Sequence, residues 1–169
     1  MFGDLKRSRI IAYSAAFIAL ITLGSWISIP FFPVPLTLQT LFVLLAGAVM
    51  KRYAVIPVTL YVMLGACGLP VFHNGIAGIG ILLGPTGGYL VGFIPAALVA
   101  GLAYEQKSKI VRILGLAIAT LLILISGALW LIYSTGMIPF AALIGGTVIF
   151  LPGDAVKACA AYLIAQRLP

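Results

Sequence analysis

The segment ILGLAIATLLILISGALWLIY, residues 113–133, decides the fold class, because it contains 21 consecutive residues without a charge. As an α-helix it would be about 31 Å long at 1.5 Å per residue, and the hydrocarbon core of a bilayer is about 30 Å thick. The whole chain shares this composition, with 63% hydrophobic residues, 8% charged residues and a mean hydropathy of +1.25. Soluble domains carry about 25% charged residues. The sequence therefore predicts an integral, all-α membrane protein.

Five further apolar runs have the composition of membrane helices. Prolines, glycines and basic pairs separate them, and proline ends a helix because it removes a backbone donor and clashes with the preceding turn. The runs cover residues 10–29, 36–50, 53–67, about 89–104 and 154–167. A shorter run, residues 138–151, is interrupted by Gly145-Gly146 and precedes the last helix. We therefore predict a single transmembrane domain over residues 1–169, a bundle of six helices with a half-helix before the last.

The positions of the basic residues support this count. With the N-terminus in the cytoplasm, six spans place nine of the ten basic residues on the cytoplasmic side, as the positive-inside rule requires. The nine are Lys6, Arg7, Arg9, Lys51, Arg52, Lys107, Lys109, Arg112 and Arg167. Membrane topology thus explains the net charge of +7, and no nucleic-acid partner is predicted. We expect a multi-pass protein of the cell membrane with both termini in the cytoplasm.

The tenth basic residue, Lys157, lies inside the last apolar run, three residues after Asp154. The 13 residues from Asp154 to Arg167 correspond to about 20 Å of helix, which places the acid roughly two-thirds of the way across the hydrocarbon core. A charge at that depth costs at least about 2.5–3.5 kcal/mol and needs a partner or a wet cavity. The i, i+3 spacing lets the two side chains pair. The pair indicates either a ligand site open to the outside or a lock between packed helices.

A glycine-rich segment, GLPVFHNGIAGIGILLGPTGG at residues 68–88, is too apolar for a solvated loop. Non-helical backbone at membrane depth is tolerated only against protein or a cavity, so we predict an external lid over the mouth of the bundle. Gly75 would let the backbone approach a ligand closely. Asn74 offers both a donor and an acceptor, whereas we interpret the lone His73 as a bystander.

The first helix carries four alanines at small-xxx-small spacing, which lets another helix approach closely. They are Ala12, Ala15, Ala16 and Ala19. The pattern fits internal packing and docking of a separate membrane protein equally well.

Several function classes are disfavoured by the residues that the chain contains. One histidine and three acids cannot build a metal site or a Ser/His/Asp set, and the sequence contains no Walker A motif. We therefore predict no enzyme, no catalytic residue, no metal and no cofactor. Secondary transporters often contain inverted repeats, and no clear internal similarity is present here. A structural subunit of a membrane complex, with Asp154 and Lys157 as a packing lock, remains an alternative.

Four motifs together resemble the BioY family, the substrate-binding S components of energy-coupling factor (ECF) biotin transporters. They are PVPLTLQT (33–40), GLPVF (68–72), GPTGGY (84–89) and LPGDAVK (151–157). The resemblance implies a six-helix S component that binds biotin from outside with high affinity. It also implies docking, through the small residues of the first helix, on a transmembrane coupling subunit that works with two ATPase subunits.

The resemblance also implies roles for individual side chains. Biotin has a ureido ring, an apolar thiophane ring and a valerate carboxylate. Asp154 would accept a ureido N–H in a charge-assisted bond, and Asn74 and Gln39 would complete that recognition. Lys157 would bind the valerate carboxylate or stay paired with Asp154. The aromatic residues expected against the rings are Phe72 and Tyr89. An S component for another vitamin, such as thiamine or riboflavin, is the closest alternative.

Overall fold

A computed structural model describes the backbone of residues 2–168 and the side chains of residues 7–168, so Lys6 of the predicted basic cluster lies outside the described side chains. The α-helices are α1 (Phe2–Trp26), α2 (Gln39–Met50), α3 (Val55–Ala66), α4 (Ile79–Leu83), α5 (Gly87–Glu105), α6 (Lys109–Thr135), α7 (Pro139–Leu143) and α8 (Leu151–Arg167). Two 3-10 turns (Lys51–Ala54 and His73–Gly75), a π-helix (Ile144–Val148) and two short strands, β1 (Ser28–Ile29) and β2 (Leu36–Thr37), complete the fold. The predicted all-α membrane bundle is confirmed.

Six segments of this bundle cross from one end to the other. Five helical stretches are long and apolar enough to span a membrane, and one of them, Gln39–Ala66, contains both α2 and α3. A contact between α2 and α3 shows that the chain reverses between them. The side-chain amide of Gln39 donates to the hydroxyl of Tyr61. A continuous helix would separate these residues by about 33 Å. The reversal occurs at Lys51, where the backbone adopts φ 58° and ψ −140°.

Small residues allow the helices to pack closely around α2, which contacts α1, α5 and α8. A Cβ atom added at Gly47 of α2 would lie 2.6 Å from the Cβ of Ala100 on α5. Close backbone approach of this kind is how membrane helices gain van der Waals contact without a hydrophobic driving force. The pairing of α5 with α6 follows the same rule at Gly115, which faces Ala103.

Several features differ from the sequence-based expectations; for example, α1 ends at Trp26 rather than at Ile29. The last helix begins at Leu151 rather than at Asp154, because Pro152 lies in its first turn, where a missing N–H costs nothing. Helix α6 begins at Lys109, four residues before the predicted start, with the side chain of Ser108 as its N-cap. The β1–β2 hairpin, which pairs Ser28 with Thr37, was not predicted. The expected interruption at Gly145-Gly146 is present as the π-helix.

Candidate ligand-binding site

Asp154, Lys157 and Thr40 form a triangle of hydrogen bonds inside the bundle. Lys157 Nζ lies 2.8 Å from Asp154 Oδ1, and Thr40 Oγ1 donates to the same oxygen at 3.1 Å. The third side, from Lys157 Nζ to Thr40 Oγ1, measures 3.4 Å. Asp154 is only 3% exposed, so its charge depends on these partners. The first turn of α8 supplies the acid and α2 supplies the threonine, which fixes the position of the carboxylate relative to both helices.

This triangle lines a cavity of about 50 Å³ near the inner face of the glycine-rich segment. Helices α2, α5, α6 and α8 contribute to its walls, together with the β2 region and the 3-10 turn at His73–Gly75. The lining combines a few polar groups with aliphatic and aromatic side chains, the composition typical of small-ligand sites. Its residues are Val34, Pro35, Thr37, Gln39, Thr40, His73, Thr86, Tyr89, Leu90, Phe93, Ile123, Leu124, Phe150, Asp154 and Lys157.

A chain of hydrogen bonds connects Gln39 to the start of the glycine-rich segment. Thr37 Oγ1 donates to Gln39 Oε1 at 3.0 Å, and the Gln39 amide donates in turn to the hydroxyl of Tyr61. That hydroxyl donates to the carbonyl oxygen of Val71 at 3.0 Å. Ser25 of α1 donates to the same carbonyl at 2.7 Å. Because the carbonyl is held from both α1 and α3, the segment enters the mouth of the bundle at a fixed point.

Two further hydrogen bonds hold the remainder of this segment. Since Gly87 and Gly88 belong to α5, we call residues 68–86 the lid. The backbone N–H of Gly78 donates to the carbonyl of Gly65 on α3 at 2.8 Å. The indole N–H of Trp130 on α6 donates to the carbonyl of Gly84 at 3.0 Å. The lid is therefore attached to two separate helices, α3 and α6.

The structure brings together four of the seven predicted ligand contacts. Gln39, Tyr89, Asp154 and Lys157 all line the cavity. Tyr89 does so while its hydroxyl donates to the carbonyl oxygen of Gly146 in the π-helix, at 2.7 Å. The sequence therefore identified residues from α2, α5 and α8 that meet at one place.

The other three predicted contacts lie outside the cavity lining. Phe72 belongs to the lid and is fully buried, with its ring edge-on to Tyr61 at 5.7 Å between centroids. Its ring also occupies the space beside Gly65, where an added Cβ would lie 2.2 Å away. Asn74 and Gly75 are exposed at the tip of the lid, and Asn74 adopts a left-handed conformation with φ 56°. In this conformation Phe72 anchors the lid, and Asn74 is exposed and does not line the cavity.

Four polar residues of the lining were not predicted as ligand contacts: Thr37, Thr40, His73 and Thr86. His73 is the most informative, because its Nδ1 is buried and has no hydrogen-bond partner among the described residues. Burial lowers the pKa of His73, so its imidazole is neutral near pH 7. The motif PVPLTLQT, which ends at Thr40, was a signal that could have identified this threonine, since it places Thr40 beside Gln39.

The four alanines of the first helix, Ala12, Ala15, Ala16 and Ala19, are all exposed. They are therefore not used for packing within the described part of the chain. The same helix buries Ser14, Phe17 and Ile21 on its opposite face.

Comparison with known proteins agrees with this architecture. The profile of the BioY family matches residues 3–169. The biotin transporter BioY of Thermotoga maritima is 44% identical over 161 residues, covering 90% of each chain. The probable biotin transporter BioY of Pyrococcus horikoshii is 39% identical over 163 residues, covering 96% of this chain and 97% of its own.

A solved structure gives the same result at the level of the fold. The S-component for biotin from an ECF-type ABC transporter superposes with a TM-score of 0.87 at 27% identity, over 97% of this chain and 92% of that one. These proteins are transporters and transporter components rather than enzymes, so the prediction of a non-enzymatic chain is confirmed. With a family match over nearly its whole length, this chain belongs to the BioY family.

Proposed function

We propose that this chain binds biotin and serves as the substrate-specific subunit of an ECF-type transporter in the cell membrane. The observation that carries the proposal is the buried Asp154–Lys157 pair, which lines a cavity beneath a lid in a chain whose relatives are named biotin transporters. A lock between packed helices would not need a cavity beside the charges. The cavity and its other polar groups therefore favour a ligand site.

The carboxylate of Asp154 is suited to the ureido ring of biotin. Both of its hydrogen bonds to side chains, from Lys157 and Thr40, go to Oδ1. Among the described residues Oδ2 accepts no side-chain hydrogen bond, and an ionised carboxylate has about four lone-pair sites. We propose that Oδ2 accepts a ureido N–H in a charge-assisted hydrogen bond. Gln39, which also lines the cavity, would provide a second polar contact.

Lys157 has two functions in this proposal. Its ammonium group carries three donors, two of which reach Asp154 Oδ1 and Thr40 Oγ1. These contacts neutralise the acid and fix the position of the ammonium group. The third donor is available for the valerate carboxylate of biotin. The ligand carboxylate would add a second negative charge near Asp154. Lys157 would then lie between the two carboxylates and pair with both.

His73 provides the polar contact from the lid. His73 lines the cavity, and its buried Nδ1 has no hydrogen-bond partner among the described residues, so we propose that a bound ligand supplies the missing hydrogen bond. An unmet buried group of this kind costs about 1–3 kcal/mol. Contact between His73 and the ligand would link lid position to occupancy of the site. Asn74, one residue further, would join this contact if the tip of the lid moves toward the cavity.

The exposed surfaces support a proposal for the partners and the orientation of the chain. The exposed alanine face of α1 would receive a transmembrane coupling subunit, beneath which two ATPase subunits would supply energy. The basic residues Arg52, Lys109 and Arg167 lie at the end of the bundle away from the lid, and the positive-inside rule supports the proposal that this end, with both termini, lies in the cytoplasm. Biotin would then enter from outside through the lid.

Isothermal titration calorimetry of the purified protein tests the proposal. We expect wild type to bind biotin, and Asp154→Asn to weaken binding at least about tenfold, since a lost charge-assisted hydrogen bond costs about 1.5–3 kcal/mol. Biotin methyl ester, which lacks the carboxylate charge, isolates the second role of Lys157. Lys157→Met should weaken biotin more than the ester. Absence of biotin binding by wild type, or tighter binding of thiamine or riboflavin, would refute the proposal.

A further inference from the structure

A second and larger cavity lies between α6 and α8, on the outer surface of the bundle. It has a volume of about 530 Å³, roughly ten times that of the cavity at Asp154, and its lining is almost wholly apolar. Ala117 on α6 and Ala155, Ala158 and Cys159 on α8 line it. These side chains are too small to fill the space between the two helices, so a groove remains that opens toward lipid. We call this feature the α6/α8 groove.

The groove has the length of one bilayer leaflet. Along α8 its lining extends from Leu151 to Leu163, which corresponds to about 18 Å of helix at 1.5 Å per residue. Half of the hydrocarbon core measures about 15 Å. A single acyl chain of one leaflet can therefore lie along the groove for its full depth.

One end of the groove is basic on both walls. Lys109 and Arg112 lie one helical turn before the lining residues Ile113 and Leu116 of α6, on the same face of the helix. Arg167 lies one turn after Leu163 on α8. The position of Gly146 shows that the two helices run in opposite directions. This glycine, just before α8, lies beside Ala128 in the second half of α6. The three cations therefore meet at the same end.

The acids of the described chain do not neutralise these cations. Glu105 pairs with Arg52 at 2.6 Å, and Asp154 pairs with Lys157 deep in the bundle. Arg112 donates through Nε to the carbonyl of Gln106, and its guanidinium lies 5.4 Å from the ring centroid of Tyr104, but among the described residues no acid pairs with its charge. An apolar groove that ends in three uncompensated cations has the complementary shape and charge of an anionic phospholipid.

We propose that the α6/α8 groove binds one phospholipid with an anionic headgroup, its acyl chain along the groove and its phosphate at Lys109, Arg112 and Arg167. Basic residues near the membrane surface attract anionic lipid electrostatically, and the alanines of the groove give an acyl chain close contact. A transmembrane helix from another protein would fit the apolar part of the groove, but it would have to carry its own acids to satisfy the basic end. The charge therefore favours lipid.

Native mass spectrometry of the purified protein, titrated with phosphatidylglycerol or with phosphatidylcholine of the same acyl chains, tests this proposal. We expect phosphatidylglycerol to bind at least about tenfold more tightly than phosphatidylcholine. The triple variant Lys109→Gln/Arg112→Gln/Arg167→Gln should lose this preference, because each basic side chain contributes roughly fivefold to binding of anionic lipid. Ala158→Phe, which fills the groove, should weaken binding of both lipids.

A matched control changes three cations elsewhere on the bundle: Arg7→Gln/Arg9→Gln/Lys51→Gln should keep the preference for phosphatidylglycerol. Thermal unfolding of every variant shows that it is folded. Equal binding of the two lipids by wild type, or equal loss in the triple variant and its control, would overturn the proposal. So would cross-linking of Cys159 to a second polypeptide in cell membranes while phosphatidylglycerol shows no preference, since a protein would then occupy the groove.

Discussion

The hydroxyl of Tyr89 on α5 donates a 2.7 Å hydrogen bond to the carbonyl oxygen of Gly146, in the π-helix that leads into α8. The close approach requires a glycine, since an added Cβ at position 146 would lie 2.5 Å from the Tyr89 hydroxyl. Tyr89 therefore both lines the cavity and positions the helix that carries Asp154. A residue assigned from the sequence to ligand contact also acts as a structural support for the site.

Replacing Tyr89 with phenylalanine removes the hydrogen bond and keeps the ring. We expect Tyr89→Phe to lower the unfolding free energy by about 1 kcal/mol and to weaken biotin binding only a fewfold, since the ring still lines the cavity. Thermal unfolding in detergent and calorimetry measure the two effects. Tyr133→Phe, at an 81% exposed position, is the matched control and should change neither. An unchanged melting temperature for Tyr89→Phe would contradict the supporting role.

The Asp154–Lys157 pair should show strong coupling in a double-mutant cycle. Either single change, Asp154→Asn or Lys157→Met, leaves a buried polar or charged partner uncompensated, at a cost of about 3–5 kcal/mol for a broken buried pair. The double variant should be less destabilised than the sum of the two singles. Thermal unfolding without biotin measures the cycle, and additive effects would mean that the two charges act independently.

Protonation of His73 should weaken the site at acid pH. Burial lowers the pKa of His73 below its ordinary value of about 6.5, so the unfolded chain binds a proton more readily than the native protein does. The contribution of the neutral imidazole to stability is complete above about pH 6.5 and is lost as the pH falls below that value. His73→Gln should remove this part of the pH dependence. A melting temperature with the same pH profile in wild type and His73→Gln would refute the assignment.

Asn74 permits a test that separates its side chain from its backbone. Its left-handed conformation is costly for alanine but readily adopted by glycine. If the side chain binds biotin, as we predict, Asn74→Gly and Asn74→Ala should both weaken binding about tenfold. Normal affinity in Asn74→Gly with reduced affinity in Asn74→Ala would show that only the turn matters.

We expect Phe72 to contribute to the stability of the fold rather than to direct contact with the ligand. It is fully buried against Tyr61 and Gly65, so Phe72→Ala should cost about 3–5 kcal/mol. Biotin should dissociate faster because the lid loses its anchor. Calorimetry together with thermal unfolding distinguishes this result from a direct contact, for which affinity would fall without a change in melting temperature.

The sequence predicted the bundle because spans of this kind are determined by local properties: apolar length, proline and glycine breaks, and basic ends. It also placed Asp154 and Lys157 on one face of a helix, since an i, i+3 relation depends on helix geometry alone. The side chains of the lid were harder to assign. Whether His73 or Asn74 faces the cavity depends on the left-handed turn at Asn74, which the sequence leaves open. Phe72 resembles a ligand contact in sequence, and only tertiary packing shows that Tyr61 and Gly65 enclose it.

The volume of the cavity at Asp154 has a kinetic consequence. At about 50 Å³ it is well below the roughly 300 Å³ at which small-molecule sites begin, so entry of biotin requires displacement of the lid. When only a fraction of molecules is open, the apparent dissociation constant is the intrinsic one divided by that fraction. The bonds that hold the lid at Val71 and Gly84 therefore oppose the opening through which a ligand would enter. Weakening them would speed both association and release of the vitamin without altering any atom that touches it.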